Sequence, residues 1–153
     1  MLLTLEWKRP LQLTDDSTHG LIYTFENATV TENGGLYVFG RTHGKSFEAL
    51  YVGKASDLKS RTKEQLKNLR LMLHLLKAKT GRRIVVIGEF KARRGQQTER
   101  CLPILERALI RHFLSEGHDL VNVQGTRIRR HEIVSSGSKQ MPELMFVDRG
   151  KGE

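Results

Sequence analysis

The chain has 153 residues, 38% hydrophobic and 28% charged, which suits one domain with a core of its own. No apolar run approaches the ~18 residues of a membrane span and the start, MLLTLEWKRP, has no signal-peptide h-region, so a cytoplasmic protein is expected. The single cysteine, Cys101, excludes an intramolecular disulfide or a multi-cysteine zinc site, and the +9 net charge is concentrated: residues 54–94 carry +10, against −2 before them and +1 after. A basic field so localised selects a polyanion, nucleic acid above all; the competing reading is a solvated helix face.

Residues 1–33 read as a β-rich extension. Leu3, Leu5 and Trp7 alternate with polar neighbours, Leu21–Phe25 is a second strand candidate, and the polar stretch from Asp15 to Gly20 between them forms turns. After Asn33-Gly34-Gly35, two strand patterns, Leu36–Phe39 and Phe47–Val52, flank a loop from Gly40 to Ser46 and predict a hairpin. A helix is expected from Asp57, with Ser56 or Asp57 as N-cap. Leu66, Leu69, Leu73 and Leu76 share one face of its 3.6-residue period, and Gly81 stops it. Ile84–Ile87 predicts a β-branched strand and is followed by a basic loop, Lys91 to Gln97. A second helix spans Thr98 to about Glu116, with Pro103 near its first turn and Gly117 at its end. Beyond Val121 the pattern is an alternating strand (Arg127, Ile128, Arg129), a Ser-Gly loop at 135–138 and a last strand at Leu144–Val147. The order indicates an α+β domain.

Glu106 is the most informative residue. It falls inside the apolar stripe of Leu102, Leu105, Leu109, Ile110 and Phe113, where a bare carboxylate costs several kcal/mol unless it is paired or holds a cation. A buried ion pair and a metal ligand are the two readings. Arg61 flanks the leucine stripe of the first helix, beside the hairpin. Lys54 lies just before that helix, near the positive end of its dipole, where a phosphate binds well.

With these residues in place, Gly35-Leu36-Tyr37, then Tyr51-Val52-Gly53-Lys54-Ala55 with Leu58 and Arg61, resembles the GIY-YIG nuclease family. Glu106, followed by Leu109-Ile110-Arg111 and by Leu120-Val121-Asn122, is similar to that family's metal-binding Glu and terminal Asn. The resemblance implies a core at residues 34–125, a small three-stranded antiparallel sheet flanked by helices, between N-terminal (1–33) and C-terminal, hairpin-like (126–153) β extensions. It further implies endonuclease activity on DNA, with RNA left open, and one divalent cation, Mg²⁺ or Mn²⁺, on Glu106. In the implied reaction, Arg61 offsets charge on the phosphate. Tyr37 or Tyr51 takes the proton of the attacking water, its pKa lowered by Lys54 and the metal, and Asn122 fixes backbone or orients phosphate.

Two features depart from the family. The name motif is relaxed to G-L-Y and Y-V-G. The position four residues after Arg61, often His or Tyr, is Gln65, which takes no proton at neutral pH. Nucleic-acid contacts are assigned to Lys54, Lys59, Lys63, Arg93, Arg94 and Arg129. The terminal extensions are expected to cap the sheet or form a homodimer interface.

Other signals are weaker. Gly40 to Ser46 approaches a P-loop, but one residue short and with strand-like sequence after it. Histidines 19, 43, 74, 112, 118 and 131 form no HExxH pair and default to surface or capping roles; a site of His131 or His118 with Asn122 is a minor alternative. Cys101 reads as a small, partly buried residue. Two other function classes stay open: a nucleic-acid-binding protein on this scaffold that does not cut, and a basic module for an acidic protein.

Overall fold

The structure is a computed structural model and describes residues 2–16, 18, 20–121, 132–136 and 144–146. In chain order its elements are β1 (Thr4–Trp7), β2 (Leu11–Gln12), β3 (Thr14–Asp15), β4 (Tyr23–Thr24), β5 (Gly35–His43), β6 (Ser46–Ala55), α1 (Leu58–Gln65), α2 (Leu69–Lys77), β7 (Arg82–Phe90), α3 (Thr98–Ser115), β8 (Glu132–Ser136) and β9 (Leu144–Phe146). The fold is α+β. Among the described residues no helix is long and apolar enough to cross a membrane.

β6, β5 and β7 pair antiparallel in that order, but the sheet does not stop at three strands. It continues through β1 to β8 and β9, and β2 also pairs with β7. β1 lies antiparallel to β7 and parallel to β8; β8 and β9 are antiparallel. The N-terminal extension is therefore part of the main sheet. Its alternation is the reason: Leu5 and Trp7 are buried, and Trp7 packs over Gly88, where a Cβ would stand 2.8 Å from the indole. Covering β7 in this way removes an open strand edge. The expected strand Leu21–Phe25 shrinks to β4, paired with β3 off the main sheet.

Both faces of the sheet are covered. Leu36, Val38, Val52 and Val86 pack against Leu102, Leu105, Leu109 and Phe113 of α3. On the other face Tyr37, Phe39, Leu50, Val85 and Ile87 meet Leu58, Leu66, Leu71, Met72 and Leu75. The short apolar runs of β5 and β7 follow from this, since their residues are buried on either side.

The single helix expected from Asp57 is two. Asp57 caps α1, accepting the Ser60 N–H at 3.0 Å, and Asn68 caps α2, accepting the Leu71 N–H at 3.2 Å. The second cap resets the helical phase, so of the expected leucine stripe only Leu66 is fully in the core. Leu69 and Leu76 are 64% and 53% exposed, whereas Leu71, Met72 and Leu75 are buried. Pro103 lies in the second turn of α3 rather than the first.

The expected Gly40–Ser46 loop shortens to Gly44-Lys45, with Gly44 at φ +60°, which removes the P-loop likeness. β6 carries a bulge: Phe39 pairs with Tyr51 but Gly40 with Ala49, leaving Leu50 as the extra residue. The Ala49 N–H donates to Nδ1 of His118 at 2.7 Å, and burial pushes that imidazole below its ordinary pKa. His118 thus caps a strand, a capping role of the kind expected by default. Cys101 is more deeply buried than expected, at 3% exposure.

Candidate active site

The glycines of the two motif halves are places of close approach. At Gly35 a Cβ would stand 2.0 Å from the Gly88 carbonyl oxygen and 2.9 Å from Leu58. Gly53 lies opposite Tyr37 across the β5–β6 pair and beneath its ring. Tyr37 is 1% exposed and stacks with Tyr51 at 6.1 Å, their planes 18° apart.

Gln65, on the last turn of α1, reaches both phenols. Its Nε2 donates to the Tyr37 hydroxyl at 2.7 Å and to the Tyr51 hydroxyl at 3.2 Å, and its Oε1 accepts from Asn68 Nδ2 at 2.9 Å. One turn earlier Arg61 donates to Glu64 Oε2 at 3.1 Å, and its charge acts on the Tyr37 hydroxyl. The sequence singled out Gln65 as a departure but missed Asn68. The signal for Asn68 was an Asn immediately before an apolar run, an N-cap pattern.

Burial raises Tyr37 above the ordinary phenol value and the neighbouring Tyr51 adds to this, outweighing Gln65 and Arg61, which lower it. Lys54 is not among the groups acting on it; it serves the opposite face of the sheet.

On that face Glu106 is half-buried, at the margin of the α3 stripe. Lys54 of β6 lies close enough for its charge and its backbone to favour the ionised carboxylate. Desolvation raises the Glu106 pKa, and Lys54 and Arg107 offset this only in part. Among the described residues the Glu106 carboxylate joins no ion pair, so the buried-pair reading of the sequence is not what the structure holds.

A cleft of about 500 Å³ wraps around the end of β6 between these two groups. Lys54, Ser60, Arg61, Glu64, Glu99 and Pro103 line it, and Glu106 lies one helical turn beyond Leu102 and Pro103. Arg61 and Lys54 therefore face one space, with the tyrosines behind Arg61 and Glu106 behind the α3 wall. Lys63, Arg93 and Arg94 are exposed, while Lys59 reaches the Ala28 carbonyl oxygen at 3.4 Å. Asn122, Arg129 and His131 lie outside the described residues.

A larger hollow, about 800 Å³, lies at the far end of β5 between Thr42, His43 and Arg82. Its Arg83 is committed to structure, donating to the carbonyls of Leu75, Ala78, Lys79 and Gly81 that close α2. It holds none of the residues of the two motifs.

Among the described residues no three His, Cys, Asp or Glu side chains gather to hold a metal. A hard cation that keeps most of its waters needs only one or two carboxylates. A half-buried, desolvated Glu106 that forms no ion pair among the described residues fits such an ion. Comparison with protein-family models, curated proteins and solved structures finds no match to this chain.

Proposed function

We propose that the chain is a divalent-metal-dependent DNA endonuclease of the GIY-YIG kind, with the edge of β6 as its active site. One observation carries the reading: Arg61 and Lys54 face a single cleft, and Lys54 also acts on Glu106, a desolvated carboxylate that forms no ion pair among the described residues. Structural carboxylates at such depth are usually paired. Further support comes from the order of β5, β6, α1, α2, β7 and α3, which presents the motif residues in the sequence required by the resemblance.

The roles follow from the chemistry of each group. Glu106 would hold one Mg²⁺ or Mn²⁺, and such an ion supplies polarisation of the phosphate and stabilisation of the leaving 3′-oxygen. Arg61 presents a planar fork of donors to the non-bridging oxygens, and Lys54 a mobile point charge. To do so Arg61 must exchange Glu64 for phosphate. Both partners are well exposed, so this exchange costs little. Lys59, Lys63, Arg93 and Arg94 would contact backbone phosphates and carry no sequence preference. Asn122 keeps its proposed role near the phosphate.

A second reading, a nucleic-acid-binding protein that does not cut, is favoured by Gln65 together with the raised pKa of Tyr37. A plasmid-nicking assay in Mg²⁺ or Mn²⁺, comparing the natural chain with Glu106→Ala, separates the two. Nicking by the natural chain and none by the variant is expected. Nicking that survives Glu106→Ala overturns the site, and binding without nicking by either favours the second reading.

A further inference from the structure

We infer that the outer flank of α2 is a docking surface for an acidic amphipathic helix of a partner protein, with Leu69, Leu73 and Leu76 as its apolar anchors and Arg70 and Lys77 as its charged edge. None of these residues lines the cleft, so the surface stands apart from the nuclease reading.

The sequence of α2, LRLMLHLLK, is too apolar for a helix with one covered side. At about 100° per residue, Leu71, Leu75 and Met72 follow one another around the axis, then Leu76, Leu69 and Leu73, then Lys77 and Arg70. The apolar arc is therefore about 200° wide, roughly twice the stripe that seats a surface helix on its own core. The fold covers only the first half of it. Leu71, Leu75 and Met72 are buried, whereas Leu76 and Leu69 are more than half exposed and Leu73 is half-buried. Of the four large hydrophobic side chains exposed among the described residues, Leu69 and Leu76 alone share a helix, two turns apart on one side of it.

Spacing and charge together select the occupant. Leucines four and then three residues apart form the seam that one helix presents to another. No Asp or Glu occurs between Glu64 and Glu89. The exposed Lys67, Arg70, Lys77 and Lys79 form no ion pair among the described residues, and Arg70 has only the Val121 carbonyl oxygen, at 3.4 Å. The acid that does meet α2, Asp119, stands 3.9 Å from His74, beyond the basic edge from the leucines. A second copy of the chain would set that edge against itself, which like charges oppose. Duplex DNA would pair with the edge but leave the leucines facing phosphates, with no apolar burial gained. A bilayer is a plane and favours basic side chains on both borders of an apolar stripe, where they reach the headgroups. Here one border is basic and the other, at Met72, runs into the core. A rod laid along the flank buries the leucines and meets the edge with carboxylates.

The test uses the full chain and a labelled synthetic peptide of three heptads, with Leu at a and d and Glu at e and g. The like charges at e and g keep this peptide from pairing with itself. A peptide of the same composition, its leucines scattered around the helix, is the control. Fluorescence anisotropy at low salt is expected to show binding of the first peptide and not of the second. Leu69→Gln/Leu76→Gln should weaken that binding at least about 10-fold, and Arg70→Gln/Lys77→Gln about 3- to 10-fold. All four side chains are exposed, so both double variants should melt with the natural chain, which separates lost docking from lost fold. A natural chain that binds neither peptide, equal binding of the two peptides, or binding indifferent to the leucine pair overturns the inference. So does leucine-dependent binding to vesicles of anionic phospholipid in the absence of peptide binding, or leucine-dependent dimerisation in sedimentation, since each names a different occupant.

Discussion

The phenol of Tyr37 lies on the bare backbone of Gly53, its cross-strand partner: a Cβ there would stand 2.3 Å from both the ring Cζ and the hydroxyl oxygen. The two halves of the motif are in this sense one contact. Gly53→Ala must displace the ring from a buried site where Gln65 and Arg61 converge. An overpacking cost of about 1–3 kcal/mol is expected, together with loss of nicking. Urea denaturation and the plasmid assay measure the two effects. Alanine at Gly44, where a Cβ has open space but φ is +60°, calibrates strain without overpacking.

Arg61→Ala should separate function from fold. Arg61 is exposed and its pair with Glu64 is a surface i,i+3 pair. A stability change within about 0.5 kcal/mol is expected, with nicking reduced at least 100-fold. A large drop in melting temperature would show that the residue is structural.

Glu106→Gln should gain stability while losing activity. The folded-state pKa of Glu106 is raised by desolvation, so the native state favours the neutral acid. That preference stabilises the fold below the unfolded value of about 4.3 and is lost as pH rises through the folded pKa. The uncharged variant is therefore expected to melt higher at pH 7, with the difference vanishing below about pH 4. Melting curves between pH 3 and 8 decide it, and a destabilised variant at pH 7 would mean the carboxylate has a strong partner.

His118 carries the opposite dependence. It accepts the Ala49 N–H while neutral, and burial lowers its pKa in the fold. Its contribution is complete above the unfolded value of about 6.5 and is lost as pH falls from there toward the folded value. Stability should decline below about pH 6.5, and His118→Gln should flatten that decline. His112, also lowered by burial, adds in the same window, so the flattening is partial.

Arg93 and Arg94 lie outside the cleft, exposed in the loop before α3. Replacing both by Ala should weaken DNA binding equally for unrelated sequences and reduce the slope of log K against log salt by about 2. A change confined to one sequence would show that they read bases.

Much of the site was legible because its chemistry is local in sequence. Gly35, Tyr37, Tyr51, Gly53, Lys54 and Arg61 lie within one hairpin and the helix after it, where the resemblance to a nuclease family picked them out together. Glu106 was legible as an acid set inside an apolar stripe, and the structure moves it to that stripe's half-buried margin. The break at Asn68 was hidden because leucines at 66, 69, 73 and 76 imitate an unbroken helix, and a single capping side chain overrides that period. The addition of β1 to β7 was also hidden, since pairing between segments some eighty residues apart leaves no local trace. Nor could spacing reveal that burial would outweigh Arg61 at Tyr37, because that balance is set by the tertiary surroundings of the ring.

The extra residue at Leu50 is added to β6 without changing the faces of the residues beyond it. Leu50 and Tyr51 both face the α1–α2 side, and from there the strand alternates: Val52 to α3, Gly53 to the tyrosines, Lys54 to Glu106. Because Gly40 pairs with Ala49 and Phe39 with Tyr51, deleting Leu50 would close the ladder into regular alternation and leave Tyr51 and Lys54 on the faces they now occupy. What the bulge adds is an anchor: the Leu50 side chain joins the α1–α2 core while its carbonyl oxygen accepts the Val121 N–H at 2.9 Å, tying the chain after α3 back to the strand that carries the candidate site.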